Sequence, residues 1–520
     1  MQLLDTNFTT LDWCIVAVYL VTSILVGIWA NKYVGNLSGY LVAGRTLRLR
    51  LAVATMTGTE IGLVTVMYSA ELGFVQQYAS LYLALYELAV LLFVGLTGFV
   101  VYRLRQTEVM TIPEYYEQRY SQGVRVVGGI MMVVSGVLNM GLFLKAGSLF
   151  LVSITGLEGD LTLKLIMTGL LLLVLFYTVL GGMVSVVITD LIQFVVLGTA
   201  MVIVTGFVVN AVGFDGLQAV VTDYDGYVDP TDSVNPSDPD GANGIGPGNM
   251  FVQGVVLFIA LMLWPAGASR TLAVHTPEVA QKLYLWSAIP FLARRALPVL
   301  WGIGAFAFFM SQPELNEQFQ AAMNAEGAEL NTQAAMPLFL AKIIPTGLLG
   351  LVTAGMVAAF MSTHDSYLLC WSGVVTQDIV APLMKKGMSQ KQRILTTRIS
   401  IVVIGLALLT WGLWYEVSSN LWQYMAVTGT VYLAGVFPVV VGGLYWKRSS
   451  SAGAYLALLG GTTGVLALGP CVMWVNETLK AIGMDLTVRA DQLMIGSFAF
   501  SLILFVAGSL LLPDSRKDES

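Results

Sequence analysis

The residues of this chain that carry chemistry lie inside apolar runs. Glu60, Glu87, Lys145, Asp190, Arg294, Arg295 and Asp365 each interrupt stretches of mainly aliphatic residues. A charge in such a run is costly in a bilayer, so these residues mark ion or solute pathways by default. Lys145 and Arg295 lie nearer the ends of their runs, where snorkelling or mutual neutralisation is the plainer use. The richest stretch is LLGLVTAGMVAAFMSTHDSYLLCWSG (348–373), with Ser362, Thr363, Asp365 and Ser366 in one apolar helix. Positions 362 and 366 are four apart and share a face. Oxygen donors without Cys or His partners suit a hard cation. A monovalent ion such as Na+ takes part of its shell from unwound backbone carbonyls. Packing of Ser and Thr between helices is the competing use of the same residues. Ser362, His364 and Asp365 have the residue types of a hydrolytic triad. Neighbours on a helix point about 100° apart, so these three do not stack as one. Cys14, Cys370 and Cys471 all sit in apolar stretches and make neither a disulfide framework nor a metal cluster.

The elements that position these residues follow from composition. Of 520 residues only 11% are charged, while 56% are hydrophobic and 53 are glycine. Soluble domains carry about 25% charged residues. A cytosolic enzyme and a disordered chain are excluded, and a polytopic membrane protein remains. A spanning helix needs about 20 apolar residues. Runs of that kind lie near 12–32, 50–74, 78–102, 124–153, 161–181, 184–213, 249–273, 283–311, 343–377, 397–415, 418–445, 452–475 and 491–512, which makes about thirteen helices of an all-α fold. Most of the 26 basic residues, including Arg103, Arg105, Arg119, Arg125, Arg270, Lys385, Lys386, Arg393 and Lys447, fall in one set of loops. By the positive-inside rule this places the N-terminus outside and the C-terminus in the cytoplasm. The loops 214–248, rich in Asp, and 312–342, with Glu314, Glu317, Glu326 and Glu329, then face outward. They read as solvated connections, or as a vestibule that attracts cations. TIPEYYEQRYS (111–121) reads as a short interfacial helix. No soluble domain fits beside the spans.

With the first span set aside, spans two to six and seven to eleven form two groups of five. An odd number inverts the second group, and inverted repeats build secondary transporters with their sites at interrupted helices. The first helix of each group is interrupted. LAVATMTGTEIGLVTVMYSAELG (51–73) has Gly58 and Gly62 around Glu60, and LFIALMLWPAGASRTLA (257–273) contains Pro265 and Gly267.

Several segments in order along the chain resemble one family. FTTLDWCIVAVYLVTSILVGIWA with GYLVAGRTL (8–47), GGMVSVVITDLIQFVVL (181–197), SRTLA (269–273), VAAFMSTHDS (357–366) and GGLYWKRSSSAGA (442–454) are similar to elements of the sodium/solute symporter family, which includes proline, galactose, sialic acid and pantothenate transporters. The resemblance runs from about residue 10 to 475. It implies a leucine-transporter-type 5+5 inverted-repeat core in a single domain. The first repeat is 50–213 and the inverted repeat 249–445. One extra N-terminal helix (12–32), two extra C-terminal helices (452–512) and a cytoplasmic tail (513–520) complete the chain.

The resemblance also implies site residues. A sodium site lies between the unwound first core helix and the ion helix. Ala359, Ser362 and Thr363 match its ion-helix ligands. Anchoring the partner helix on Gly62 gives Ala52 and Thr55, and anchoring it on Glu60 gives Ala54 and Thr57; the first is preferred. Some members hold a second cation, which here implies Asp190, Ser362, Asp365 and Ser366. Asp365 stands where a hydroxyl residue is usual, so the second ion is Na+, a proton or absent. Glu60, Glu87, Trp264 and Arg294 fall at solute-contact positions. Trp264 stands where a polar residue is usual, and AVTGTVY (426–432) lacks the glutamine of sugar transporters, while an Arg in the pocket suits a carboxylate. The expectation is a sodium-coupled symporter in the cell membrane. It imports a sugar, carboxylate or amino-acid type solute by alternating access, with one or two Na+ ions. Its partners are that small solute and the lipid bilayer, with no nucleic acid and no obligate protein partner. A sensor or channel on the same fold and a proton-coupled transporter are the alternatives.

Overall fold

The computed structural model describes residues 2–30, 42–157, 159–222, 246–324, 331–384, 387–414, 421–484 and 486–514. Among them the chain is helical, with no β-structure beyond one bridge between Leu47 and Val274. The main helices are α1 (Thr10–Ala30), α2 (Leu49–Glu60), α3 (Leu63–Val75), α4 (Tyr82–Thr97), α5 (Gln122–Met140), α6 (Phe143–Thr155), α7 (Asp160–Thr222), α8 (Pro247–Leu263), α9 (Pro265–Ala273), α10 (Pro277–Met310), α11 (Leu348–Val374), α12 (Gln390–Trp414), α13 (Leu421–Tyr445), α14 (Ser451–Gly461), α15 (Gly469–Ala481) and α16 (Ala490–Leu511). Ten spans among the described residues are long and apolar enough to cross a membrane, or twelve when two bent pairs are each counted as one; Thr10–Val26 is a shorter apolar stretch.

Ten differs from thirteen because the expected runs 50–74 and 452–475 are bent pairs and the first expected run appears as the shorter Thr10–Val26 stretch. The run 124–153 is divided after Met140, where the ring of Trp411 packs so close to Gly141 that a Cβ there would meet it at 2.0 Å. The run 452–475 bends by 88° between Ser451–Ala467 and Gly469–Ala481. Leu468 is extended there and Pro470 opens the next helix, where its missing N–H costs nothing. Gly182, with φ 56 and ψ −160, divides α7 between the expected 161–181 and 184–213 runs. Ile112–Arg119 forms the short helix expected at 111–121, capped by the Thr111 hydroxyl. Pro313–Asn324 is helical in the second long loop. Lys32, Lys385, Lys386, Glu326, Glu329 and the acidic run at 223–240 lie outside the described residues.

The centre of the molecule is α11. Nearly all its residues are buried, and α1, α2, α7 and α12 pack around it. A helix apolar on every side must be surrounded in this way. Against α11 lies the break between α2 and α3, a bend of 60°. Glycine makes that approach: a Cβ on Gly62 would lie 2.5 Å from Thr363 Oγ1. On the other side α3 crosses α10 at a reciprocal pair. A Cβ on Gly73 would meet the Val299 carbonyl at 2.1 Å, and one on Gly302 would meet the Ala70 carbonyl at 1.9 Å. Small residues at such crossings bring two backbones into direct contact.

Candidate ion and solute site

The first break frees backbone carbonyls, and side chains meet each of them. Ile61 still donates to the Thr57 carbonyl at 2.8 Å, and the chain then turns extended through Gly62. The carbonyls of Gly58, Thr59 and Glu60 lose their helical partners. Ser362 Oγ donates to Gly58 O at 2.9 Å and Thr363 Oγ1 to Thr59 O at 3.1 Å. Arg294 Nη1 donates to Glu60 O at 2.5 Å, and Thr65 Oγ1 does so at 3.3 Å. Both α11 hydroxyls also reach Ala359 O at 3.1 Å. Inside a membrane such groups must be satisfied by protein, so the break is stabilised by the same oxygens that a hard cation uses. At the second break Trp264 is extended and Pro265 has no N–H. The Leu261 carbonyl, which that N–H would have served, accepts from Tyr284 OH at 3.0 Å.

The carbonyls beside Ser362 and Thr363 are therefore not those of Ala52 and Thr55. Both residues lie earlier in α2, where the helix is unbroken, and Thr55 donates its hydroxyl to Asp190 Oδ2. The carbonyls that the break frees are the last ones of α2, those of Gly58, Thr59 and Glu60. Ala54 and Thr57 precede it as well.

Asp190, on α7, belongs to a buried polar network. Its Oδ2 also accepts from Thr59 Oγ1 at 3.3 Å and pairs with Arg270 Nη2 at 3.3 Å, while Oδ1 has no partner among the described residues. Arg270 Nη2 also donates to Ser366 Oγ, and Thr59 Oγ1 lies 3.1 Å from that oxygen. Ser366 donates to Asp365 Oδ1 at 3.1 Å, and Tyr177 OH donates to Asp365 Oδ2 at 3.0 Å. Asp190, Asp365, Ser366 and Arg270 are all at most 1% exposed. Arg270 is not in an inside loop; α9, only nine residues long, carries it into the core. Asp365 is held by Tyr177 and Ser366 rather than by Lys145, which is half-buried. Ser362 is not bonded to His364, whose Nδ1 lies 2.8 Å from the Phe360 carbonyl.

A cavity opens beside the two breaks, with about 820 Å³ of empty space including its mouth. Its wall includes Thr59, Glu60, Glu87, Trp264, Arg294 and Thr363, so one of the two α11 hydroxyl residues lies on it. Glu87 is fully buried and accepts from both arginines. Arg294 Nε reaches Oε2 at 3.1 Å and its Nη2 lies 3.1 Å from Oε1, while Arg295 Nε reaches Oε1 at 2.8 Å. Arg295 is thus paired in the core and does not snorkel. The Arg294 fork is already filled by Glu87, which removes the free guanidinium that a solute carboxylate would need. Trp264 donates through Nε1 to Tyr367 OH at 2.9 Å.

Sequence reasoning missed Gly58, Thr59, Tyr177 and the burial of Arg270. The SRTLA segment was a signal for Arg270. Tyr177 carries none, since a tyrosine in an apolar run is ordinary.

The Sodium:solute symporter family matches this chain over residues 40–461. A sodium/glucose cotransporter of Vibrio parahaemolyticus is 25% identical over 528 residues, covering 98% of this chain and 92% of its own. A sodium/proline symporter of Haemophilus influenzae is 23% identical over 525 residues, covering 96% and 94%. The solved structure of a substrate-bound, outward-open Na+-coupled sialic acid symporter has the same fold, with a TM-score of 0.78 at 18% identity over 97% of this chain and 98% of that one. The chain belongs to the sodium:solute symporter family.

Proposed function

We propose that the protein imports a small polar organic solute by alternating access, driven by Na+ bound where α11 meets the first break. Its family makes it a multi-pass membrane transporter that couples a solute to sodium, and not an enzyme. The observation that carries the finer reading is the set of oxygens at the break. The Ser362 and Thr363 hydroxyls and the Ala359, Gly58 and Thr59 carbonyls converge there, and Thr59 and Thr363 also line the cavity. Sodium at that point joins α11 to α2 and braces one wall of the solute cavity. Each ligand then favours the other, by the same factor in both directions.

The two breaks support a 5+5 inverted repeat of 50–213 and 249–445 within about thirteen helices. The Lys and Arg bias supports an outside N-terminus, in the cell membrane. Asp190 and Asp365 against Arg270 support a second cation, Na+ or a proton, near Ser362 and Ser366, because the two acids exceed the one guanidinium by a charge. Uptake of labelled solute into proteoliposomes with and without an inward sodium gradient tests the reading. Uptake indifferent to the gradient overturns it.

A further inference from the structure

We infer that the solute presents an ammonium group to Glu60. The inference rests on the transport reading above and names the class of solute that the cavity takes.

The charged side chains on the cavity wall are unequally occupied. Glu87, with no exposed surface, has both oxygens engaged by Arg294 and Arg295. Arg294 spends its remaining nitrogen on the main-chain carbonyl of Glu60, and its guanidinium lies 4.1 Å from the centre of the Phe291 ring. The guanidinium of Arg295 lies 4.7 Å from the centre of the Trp422 ring. A solute carboxylate finds both forks filled.

Glu60 differs. Its side chain is 15% exposed, against 6% for Arg294, 1% for Arg295 and none for Glu87. Among the described residues its one ion pair is long, 3.5 Å from Oε2 to Arg294 Nη1. A carboxylate offers about four acceptor positions, so most of its capacity remains for a donor. The other oxygen, Oε1, lies beside α9, where a Cβ on Gly267 would be 3.1 Å from it. Glu60 also ends α2, and the C-terminal end of a helix favours cations over anions.

The walls on that side are aromatic. Trp264, three residues before Gly267, packs on Tyr367 with ring centres 6.2 Å apart, and Tyr367 packs on Phe143 at 5.6 Å. Among the described residues, the arginines of the cavity lie on Phe291, Tyr68 and Trp422 and on none of these three. Faces without a cation beside a carboxylate with spare acceptor positions are the recognition chemistry of an ammonium group.

The test uses the purified full-length protein in Na+ and in K+, with four probes: choline, L-proline, D-glucose and lactate. Expected is a sodium-dependent rise in melting temperature with choline or L-proline and none with glucose or lactate. Only a ligand of the folded state gives such a rise. Glu60→Gln keeps the shape and weakens the ammonium probe at least about tenfold. Trp264→Leu gives an independent reading if Glu60→Gln fails to fold, and it weakens the same probe. No response to either ammonium probe, or unchanged binding in both variants, overturns the inference. Sodium-driven uptake of glucose or lactate in that case leaves the transport reading standing. Uptake of any probe that ignores the sodium gradient sinks the transport reading instead.

Discussion

Ser362 donates its hydroxyl to the carbonyl of Gly58 at 2.9 Å, across the contact between α11 and the end of α2. Thr363 repeats the contact one residue along, on Thr59. Two adjacent residues of an unbroken helix thereby read two adjacent carbonyls of a broken one.

Removing either hydroxyl takes an oxygen from the proposed ion and leaves a buried carbonyl without its donor. Ser362→Ala and Thr363→Ala should each raise the sodium half-saturation for uptake about tenfold or more, a change of about 1.4 kcal/mol. Both proteins should still insert and run as a single species on gel filtration. Wild-type half-saturation in both variants would show that sodium is bound elsewhere.

Gly62→Ala probes the same contact from the other side. Its Cβ would fall 2.5 Å from Thr363 Oγ1, inside contact distance of an oxygen fixed by two hydrogen bonds. Overpacking of this kind costs about 1–3 kcal/mol. The expected result is a lower melting temperature together with weaker sodium dependence. An unaltered sodium titration would mean that the break relaxes without cost to the ion.

Arg294 links the cavity to the break, because it holds Glu87 with two nitrogens and Glu60 O with a third. Arg294→Lys keeps the charge but loses the fork. It should lower solute affinity and sodium affinity together. Glu87→Gln leaves two buried guanidiniums short of a partner and should destabilise the fold by about 3–5 kcal/mol. A Glu87→Gln protein as heat-stable as the wild type would contradict the pairing described above.

Asp365 is fully buried on α11 with both oxygens engaged by neutral hydroxyls. Asp365→Asn preserves the shape and removes one negative charge from a network of two acids and Arg270. Uptake measured from pH 5.5 to pH 8.5, and the number of Na+ ions moved per solute, should change in at least one respect, while the first sodium site survives. Identical pH profiles and stoichiometry would assign Asp365 a bracing role only.

The sequence carried some of this directly and some not at all. Span positions were legible because apolar length is a one-dimensional property, and both breaks were legible because glycine and proline announce them. Pro265 is the clearest case, since a missing N–H frees a carbonyl wherever it stands. The register of the freed carbonyls was not legible. Within TMTGTEIG (55–62), which oxygens lose their partners depends on where the helix ends, and tertiary contact with α11 decides that. Arg270 was assigned to a loop because a basic residue near a span end is ordinarily solvated; its partner, Asp190, lies eighty residues earlier and no local pattern joins them. The bend at Leu468 followed from a Gly-Pro pair inside a run that hydropathy alone scores as continuous.

The crossing of α3 and α10 has a mechanical consequence. Gly73 meets the backbone at Val299 and Gly302 meets it at Ala70, so at these two points the helices are notched into each other backbone against backbone. Sliding one along the other would first require prising them apart and losing both notches at once. The pair therefore behaves as one beam, and Arg294 and Arg295 travel with it. Any flexing is left to the thin places in the chain, the unwound turn at Ile61–Gly62 and the single extended residue at Trp264, which act as the joints of an otherwise stiff frame.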